Sequence, residues 1–318
     1  MFVVCGEALW DFFGRERPSG LSFDARVGGS PFNVAVGLAR LDQDVALLTG
    51  LSRDRLGERL FDRLEREGVS TSYLVRTERP TTLSLVDLGP DGSPVYAFYG
   101  EGTADRCVTE ADLPAFGSNV WGFHVGSFSL VTAPTGSSLL ALARREAGRR
   151  LITLDPNVRL NAEPDLAFWR ARVDDFVSVS DVVKVSSEDL ELLFPGFATD
   201  DVAARWLEAG AALVIVTGGA SGADAYGAFG KVSEPGRVVA VADTVGAGDS
   251  FMAAMIARLA ERGLTSRRYL ADLSAEDVLQ LLGFASDAAA ITCSRRGADL
   301  PHRSDIGANA KAWNESSE

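Results

Sequence analysis

The sequence predicts an α/β protein with a mostly parallel central sheet and a small second sheet near the amino-terminal end. From about residue 119 onward, apolar runs of strand length alternate with helical patterns. That alternation is typical of a parallel sheet with helices on both faces. The earlier part of the chain breaks this rhythm with short strand-like pieces and a hairpin pattern. These pieces predict a separate small sheet that lies over the main one.

The predicted elements follow in chain order. The first part of the chain contains strands at 2–5, around 11–13, at 21–27 and at 45–49, helices at 33–41 and 55–67, and a hairpin of strands at 81–88 and 94–99. The second part contains strands at 121–125, 151–154, 182–185, 213–217 and 238–241, and helices at 135–148, 168–176, 187–194, 201–209 and beyond 251. We predict a single domain, 1–310, followed by a polar tail, 311–318.

The composition is that of an ordinary globular protein, with 46% hydrophobic and 24% charged residues. The formal net charge of −13 argues against nucleic acid as a partner, because neutralising phosphates requires clustered Lys and Arg. It equally disfavours an anionic membrane surface, and no apolar run approaches the ~18 residues of a membrane span. An anionic substrate would therefore need a locally positive site or one built from backbone N–H groups.

The cysteine and histidine pattern favours a reduced, cytoplasmic protein and argues against a zinc site and a catalytic triad. Cys5, Cys107 and Cys293 are far apart and lack metal-type spacing, and His124 and His302 are isolated. The opening segment has no basic n-region and reaches an acid at residue 7, so we expect a strand there rather than a signal peptide.

The stretch 243–251, Asp-Thr-Val-Gly-Ala-Gly-Asp-Ser-Phe, is the strongest candidate for the chemical site. Gly246 and Gly248 stand where a helix is predicted to begin, so the first N–H groups of that helix, including that of Ala247, should be bare and able to bind an anion. Asp249 lies in the same first turn, where the helix dipole is expected to keep its carboxylate ionised. A base beside amides that hold developing negative charge is what phosphoryl transfer to an alcohol requires.

Two alternative interpretations of this stretch are weaker. A plain glycine-rich turn with Asp249 as a dipole partner leaves the coincidence of both glycines and the acid unexplained. A dinucleotide-binding fingerprint would need a third glycine where Phe251 stands. A Walker-type loop is absent from the sequence, since Val232 follows Gly230 and Lys231 in place of Ser or Thr.

Loops at the predicted carboxyl ends of strands supply the other candidates, because open α/β sheets bind ligands there. Gly28 and Gly29 would let a ligand approach the backbone, and Asn33 offers a donor and an acceptor, although a tight turn with Asn33 as helix N-cap is an equal alternative. Asp11 could accept hydrogen bonds from a polyol or could be a solvated hairpin acid. Arg159 would give a phosphate a fixed positive charge or could belong to an ordinary turn.

Two further segments are more ambiguous. Residues 184–189, Lys-Val-Ser-Ser-Glu-Asp, are explained adequately by a serine N-cap with acids in the first helical turn. Residues 217–222, Thr-Gly-Gly-Ala-Ser-Gly, follow a very apolar strand. They could form a hairpin turn or a place where the backbone approaches a flat or anionic ligand.

Taken in order, these segments resemble the PfkB, or ribokinase-like, family of carbohydrate kinases over nearly the whole chain. Residues 28–35 resemble the family's first signature, and residues 243–256 resemble its second and more specific signature. Residues 6–12 and 292–298 are most similar to the fructokinase branch. The resemblance implies a three-layer αβα sandwich and a kinase that uses ATP and Mg²⁺. It also implies that the small sheet, about 11–27 and 81–100, is a lid that closes over the sugar and often pairs two subunits.

The resemblance further implies roles for individual residues. Asp249 corresponds to the catalytic base, and the backbone of Gly246, Ala247 and Gly248 to the anion hole. The positions that match sugar contacts are Asp11, Gly28, Gly29, Asn33 and, on the lid, Phe98. The positions near the nucleotide are Asn157, Arg159, Lys184, Thr217, Gly219, Gly222 and Ser286. Potassium activation is also plausible, since many relatives bind a monovalent cation beside the second signature.

Several positions depart from the family pattern. Ser186 stands in place of the Asn of an Asn-x-x-Glu group that organises Mg²⁺ through water, whereas Asp189 can still serve in place of the Glu. Ser286 occupies a usual Asn of the adenine pocket, and Asp42 replaces a usual glycine. Gly100 stands where ketodeoxygluconate kinases carry an Arg, which favours a neutral sugar.

The sequence therefore predicts transfer of the ATP γ-phosphate to a primary hydroxyl, with O6 of D-fructose as the favoured acceptor. The alternatives are a kinase for ribose, ketodeoxygluconate or a riboside, and a non-catalytic sugar-binding relative. A homodimer through the lid is also expected. Its basis is the apolar alternation of the lid strands, for example Leu83, Leu85, Val95 and Phe98, because an exposed sheet face of that kind should be covered.

Overall fold

The computed structural model describes residues 1–18, 20–88 and 94–306. Within these ranges the strands are β1 Phe2–Cys5, β2 Leu9–Arg17, β3 Gly20–Gly28, β4 Val45–Ser52, β5 Leu74–Thr77, β6 Thr82–Leu88, β7 Pro94–Tyr99, β8 Gly122–Gly126, β9 Leu151–Asp155, β10 Val182–Ser186, β11 Leu213–Thr217, β12 Ala223–Gly227 and β13 Gly230–Glu234. The helices are α1 Ser30–Arg40, α2 Arg55–Glu67, α3 Thr135–Glu146, α4 Leu166–Val177, α5 Ser187–Leu193, α6 Thr199–Ala209, α7 Ala247–Glu261, α8 Arg267–Ala271 and α9 Ala275–Cys293.

The larger sheet has nine strands in the order β13-β12-β11-β10-β9-β8-β1-β4-β5. Its strands run parallel from β5 through β11, and β12 and β13 are added antiparallel at one edge. Because side chains alternate along a strand, Phe2 and Val4 pack into one core with α1, α7 and α9, while Val3 and Cys5 pack into another with α3, α4 and α6. The predicted three-layer αβα sandwich with a mostly parallel sheet is confirmed.

Local signals set several element boundaries as predicted. The Asp54 side chain accepts hydrogen bonds from the amides of Leu56 and Gly57, which starts α2, and Gly68 ends that helix in a left-handed conformation at φ 78°. Asp42, which stands in place of a glycine after α1, also takes a positive φ of 61°, a conformation that Asp tolerates better than most residues.

The smaller sheet has four strands in the order β3-β2-β6-β7. Its register places Asp11 beside Arg26 and Ser84, and Ser84 beside Phe98, so these four side chains share one face, here named the inner face. On the opposite, outer face, Phe12 lies beside Ala25 and Leu85. The turn 89–92 of the predicted hairpin lies outside the described residues.

The apolar row predicted along the lid strands is therefore wrong for Phe98. A strand has a side-chain period of two, and the register puts Phe98 on the face opposite to Leu83 and Leu85. The Phe98 ring packs edge-on against Phe128, which follows β8, with ring centroids 5.5 Å apart. The Val95 side chain lies outside the described side chains.

The predicted strand at 238–241 is also wrong, because this run lies outside the strands of the structure. Val238 and Val241 are 97% and 63% exposed. β-branched residues favour a strand only where a neighbouring strand is present to pair with, and the sheet edge already ends at β13. Conversely, β5, β12, β13 and α9 were not predicted, although the Ser274–Asp277 capping box at the start of α9 was a usable signal. The predicted polar tail, 311–318, lies outside the described residues.

Candidate active site

The carboxylate of Asp249 lies at the start of α7 and is bound by two side chains of α1. The Ser30 hydroxyl donates to Asp249 Oδ1 at 2.6 Å, and the Asn33 amide donates to Asp249 Oδ2 at 2.8 Å. All three residues are buried. The two signature segments are thus joined directly, and the carboxylate is held in one orientation.

Gly29 explains how α1 presents these two side chains. It is the N-cap of α1 with φ 101°, and a Cβ there would lie 2.6 Å from the carbonyl oxygen of Glu7. A non-glycine residue would therefore be strained and would clash with the backbone after β1. Because the helix begins at Ser30, Asn33 lies inside the first turn, and the alternative of Asn33 as N-cap is wrong.

The pKa of Asp249 is raised above its ordinary value, mainly because burial disfavours the charged form. The hydrogen bonds from Ser30 and Asn33 and the charge of Lys184 oppose this rise, while the charge of Asp155 adds to it. The expectation that the helix dipole keeps Asp249 ionised therefore omitted the stronger influence, which is desolvation. A carboxylate with a raised pKa is also a better proton acceptor.

The mouth of α7 leaves two of the three predicted amides bare. Gly246 takes φ 81°, and among the described residues the amides of Gly246 and Gly248 donate to no acceptor. The Ala247 amide donates to the carbonyl oxygen of Thr244 at 3.2 Å, so the prediction of a bare amide is wrong there. A Cβ on Gly248 would lie only 3.0 Å from Lys184 Nζ, so this ammonium group lies directly against the helix mouth.

Lys184 forms a buried ion pair with Asp155. Its Nζ lies 2.9 Å from Asp155 Oδ2, and the two side chains are 5% and 1% exposed. The other oxygen, Asp155 Oδ1, is buried and has no hydrogen-bond partner among the described residues. Asp155 was missing from the predicted site residues, although its place directly after a buried strand was a signal that could have found it.

Asp189 belongs to the same acidic group. Its Oδ1 accepts a hydrogen bond from the Val158 amide at 3.2 Å, and its own amide donates to the Ser186 hydroxyl, so Ser186 is the N-cap of α5. Burial and the charge of Asp155 raise the pKa of Asp189, while Arg159 and Lys184 oppose the rise.

Among the described residues, no cluster of three or more His, Cys, Asp or Glu side chains is arranged to hold a metal ion.

Asp11 and Gly28 form the part of the site that belongs to the smaller sheet. A Cβ on Gly28 would lie 2.2 Å from Asp11 Oδ2, so the missing side chain leaves the room that this carboxylate occupies. Burial raises the pKa of Asp11, and the Ser84 hydroxyl and the Arg159 charge oppose that rise. The positive charge of Arg159 therefore lowers the pKa of both Asp11 and Asp189 relative to the effect of burial alone.

Of the remaining predicted residues, four follow or end strands of the larger sheet and one lies on α9. Asn157 takes φ 39°, and Thr217 ends β11. Gly219, at φ 57°, begins a single 3₁₀ turn, and Gly222, at φ 97°, follows it. Ser286 is buried on α9. No described hydrogen bond or ion pair links these five residues to Asp249.

The segment 235–242 contacts both the turn after β11 and helix α9. The Gly222 backbone packs against Pro235 and Gly236, and Arg237 forms an ion pair with Asp287 of α9 at 2.6 Å. The exposed valines of this segment therefore lie between the turn after β11 and α9.

The chain belongs to the pfkB family of carbohydrate kinases, whose family model matches residues 1–305. It is 40% identical to a fructokinase of Rhizobium leguminosarum bv. trifolii over 314 residues, which are 98% of this chain and 94% of that relative. A fructokinase of Xylella fastidiosa, solved with bound ATP, has a TM-score of 0.89 at 29% identity and covers 100% of this chain and 99% of its own. These likenesses identify the protein as an ATP-dependent sugar kinase.

A second similar protein was solved with ligands bound. The fructokinase of Vibrio cholerae O395, solved with fructose, ADP and a calcium ion, has a TM-score of 0.80 at 26% identity and covers 96% of this chain and 98% of its own. Across the described ranges of our chain, every helix is too short or too polar to cross a membrane.

Proposed function

We propose that the protein transfers the γ-phosphate of ATP to O6 of D-fructose. One observation carries the proposal: a buried carboxylate, fixed by Ser30 and Asn33, stands at a helix mouth with two bare amides. The names of the relatives support fructose as the acceptor. Asp11, Gly28, Gly29 and the lid residue Phe98 would contact the sugar on the side of the smaller sheet.

In this proposal Asp249 accepts the proton of the sugar hydroxyl as that oxygen attacks phosphorus. Ser30 and Asn33 each occupy one lone pair of its carboxylate, which leaves other lone pairs for the substrate proton. The amides of Gly246 and Gly248 and the ammonium group of Lys184 would hold the negative charge of the transferring group. The smaller sheet would exclude water that otherwise competes with the sugar for the phosphate.

Asp155 and Asp189 are the acids near the helix mouth that could hold a magnesium ion. Asp155 Oδ1 is a buried oxygen without a partner, and hard divalent cations prefer carboxylate oxygens and water. When bound, Mg²⁺ would neutralise charge on the phosphates. We propose that Asp155 and Asp189 hold it, the latter in the role that the resemblance assigned.

The nucleotide would extend from Asp155 and Asp189 toward α9. Asn157, Thr217, Gly219 and Gly222 lie along the sheet edge on that path, and Ser286 lies where the base would end. The exposed Val238 and Val241 would supply apolar contacts to a flat base, which explains apolar side chains in an open segment.

Fructose is expected to give the highest kcat/KM in a panel of fructose, ribose, tagatose, adenosine and ketodeoxygluconate with saturating ATP. ADP release measured with a coupled assay decides among them. A better acceptor in the panel would replace fructose, and no ATP consumption with any acceptor would favour a non-catalytic sugar-binding protein.

One observation favours ketodeoxygluconate as the second candidate acceptor. A neutral sugar was expected because position 100 is a glycine, but the Arg106 guanidinium lies against Gly100, where a Cβ would be 2.5 Å from Nη2. Positive charge is therefore present at this place in the fold, and a carboxylate could pair with it. The panel distinguishes the two acceptors directly.

We also propose a homodimer through the outer face of the smaller sheet. Leu21, Phe23 and Tyr99 are 63%, 47% and 58% exposed there, and the Phe23 ring packs edge-on against Phe12. An exposed apolar sheet face of this kind is typical of an interface.

The three free cysteines support the proposal of a reduced, cytoplasmic setting.

Phe23→Glu is expected to shift the protein from dimer to monomer, because a charge would have to be buried in the interface. Sedimentation velocity at micromolar concentration measures the shift. Leu192→Glu is the matched control, since Leu192 is 40% exposed on α5, away from the smaller sheet. A wild-type protein that sediments as a monomer would contradict the proposal.

A further inference from the structure

Arg26 of the inner face reaches from the smaller sheet to the loop that precedes the helix mouth. Its Nη1 lies 3.8 Å from Asp243 Oδ2, and its Nη2 donates to Asp24 Oδ2 at 3.2 Å. The guanidinium also stacks over the Phe13 ring, 5.0 Å from the centroid. A Cβ on Gly297 would lie 2.9 Å from Arg26 Nη1, so the guanidinium also packs closely against the backbone of the segment after α9.

Asp243 organises the backbone on both sides of this contact. Its Oδ1 accepts a hydrogen bond from the Val245 amide at 3.1 Å, and its Oδ2 accepts one from the Gly297 amide at 2.8 Å. A Cβ on Gly246 would lie 2.7 Å from the Ala298 side chain, so the glycine at the helix mouth packs against the same segment. A shift of Asp243 would therefore displace the backbone that carries the bare amides.

We infer that Arg26 is a positioning residue, which ties the smaller sheet to the helix mouth and supplies the positive charge that balances Asp243. This inference rests on the proposed function. In it, the Arg26 side chain couples the smaller sheet, which would cover the sugar, to the mouth of α7, which would hold the phosphate.

The test compares Arg26→Ala and Arg26→Lys with Arg15→Ala. Arg15 lies 3.7 Å from Asp24 on the same sheet but is 57% exposed, and no described contact links it to Asp243. Displacing a catalytic group by a small distance is costly, so Arg26→Ala should lose about tenfold in kcat, while Arg15→Ala stays near the wild type. The kcat of Arg26→Lys should lie between those of Arg26→Ala and the wild type, because lysine keeps the positive charge but lacks the planar guanidinium group.

A measurement that does not depend on catalysis distinguishes a failure of this inference from a failure of the proposed function. In hydrogen exchange of the protein without ligands, peptides covering 243–249 should exchange faster in Arg26→Ala than in the wild type or Arg15→Ala. Peptides covering β9 should be unchanged in all three, which shows that the variants are folded. Equal exchange of 243–249 in Arg26→Ala and in the wild type would overturn the inference. A wild type without kinase activity would defeat the proposed function and leave the exchange result interpretable.

Discussion

Asp249→Asn is expected to fold normally, bind ATP and lose about 10²–10⁴ in kcat, the usual cost of removing a general base. The substitution keeps the shape of the side chain, and Ser30 can still donate to its oxygen. Asn33 can turn its own amide so that its oxygen accepts a hydrogen bond from the NH₂ group introduced at position 249. Steady-state kinetics with saturating fructose and ATP measure the loss, and calorimetric titration measures ATP binding.

The control for this variant is Ser30→Ala, which removes one hydrogen bond but keeps the base, so its kcat should fall far less. The pH dependence supplies a second check. Asp249 must be deprotonated to accept a proton, and burial raises its pKa, so kcat should decline as pH falls through a value above the ordinary range of an aspartate. Near-normal turnover of Asp249→Asn would refute the assignment of the base.

Lys184→Met is expected to lower the free energy of unfolding by about 3–5 kcal/mol, because it leaves Asp155 as an unpaired charge in the interior. Asp155 is only 1% exposed, and its second oxygen already has no partner among the described residues. Urea denaturation followed by circular dichroism measures the change.

Two variants test the physical reason for this loss. In the double variant Lys184→Met with Asp155→Asn the buried charge is gone, so much of the stability should return. Lys231→Met removes an ammonium that is 42% exposed and pairs with Asp200 at 2.9 Å, and it should cost no more than about 1 kcal/mol. A Lys184→Met variant as stable as Lys231→Met would show that the buried pair contributes little.

Elements with strong local signals were predictable from the sequence. The helix α2 was predicted with its observed bounds, because a capping acid, an amphipathic pattern and a terminal glycine all agree there. The apolar runs of β9, β10 and β11 were recognisable for a similar reason, since strands covered on both faces are apolar throughout. The edge strand β13 and its neighbour β12 were missed, because they carry mixed polarity and form only by pairing with a neighbour.

The sequence by itself determined the fold class, the helix mouth at Gly246 and Gly248, and Asp249 as the candidate base. Each of these depends on short-range rules: the steric freedom of glycine, the period of apolar side chains and the bare amides of a first helical turn. Only the tertiary structure decided the partners of that base, since Asn33 and Asp249 are separated by 216 positions and meet through the packing of α1 against α7. The same holds for the raised pKa of Asp249 and for the contact between Arg26 and Asp243. Desolvation and long-range ion pairs depend on which surfaces the folded chain brings together, and no local pattern of residues specifies that.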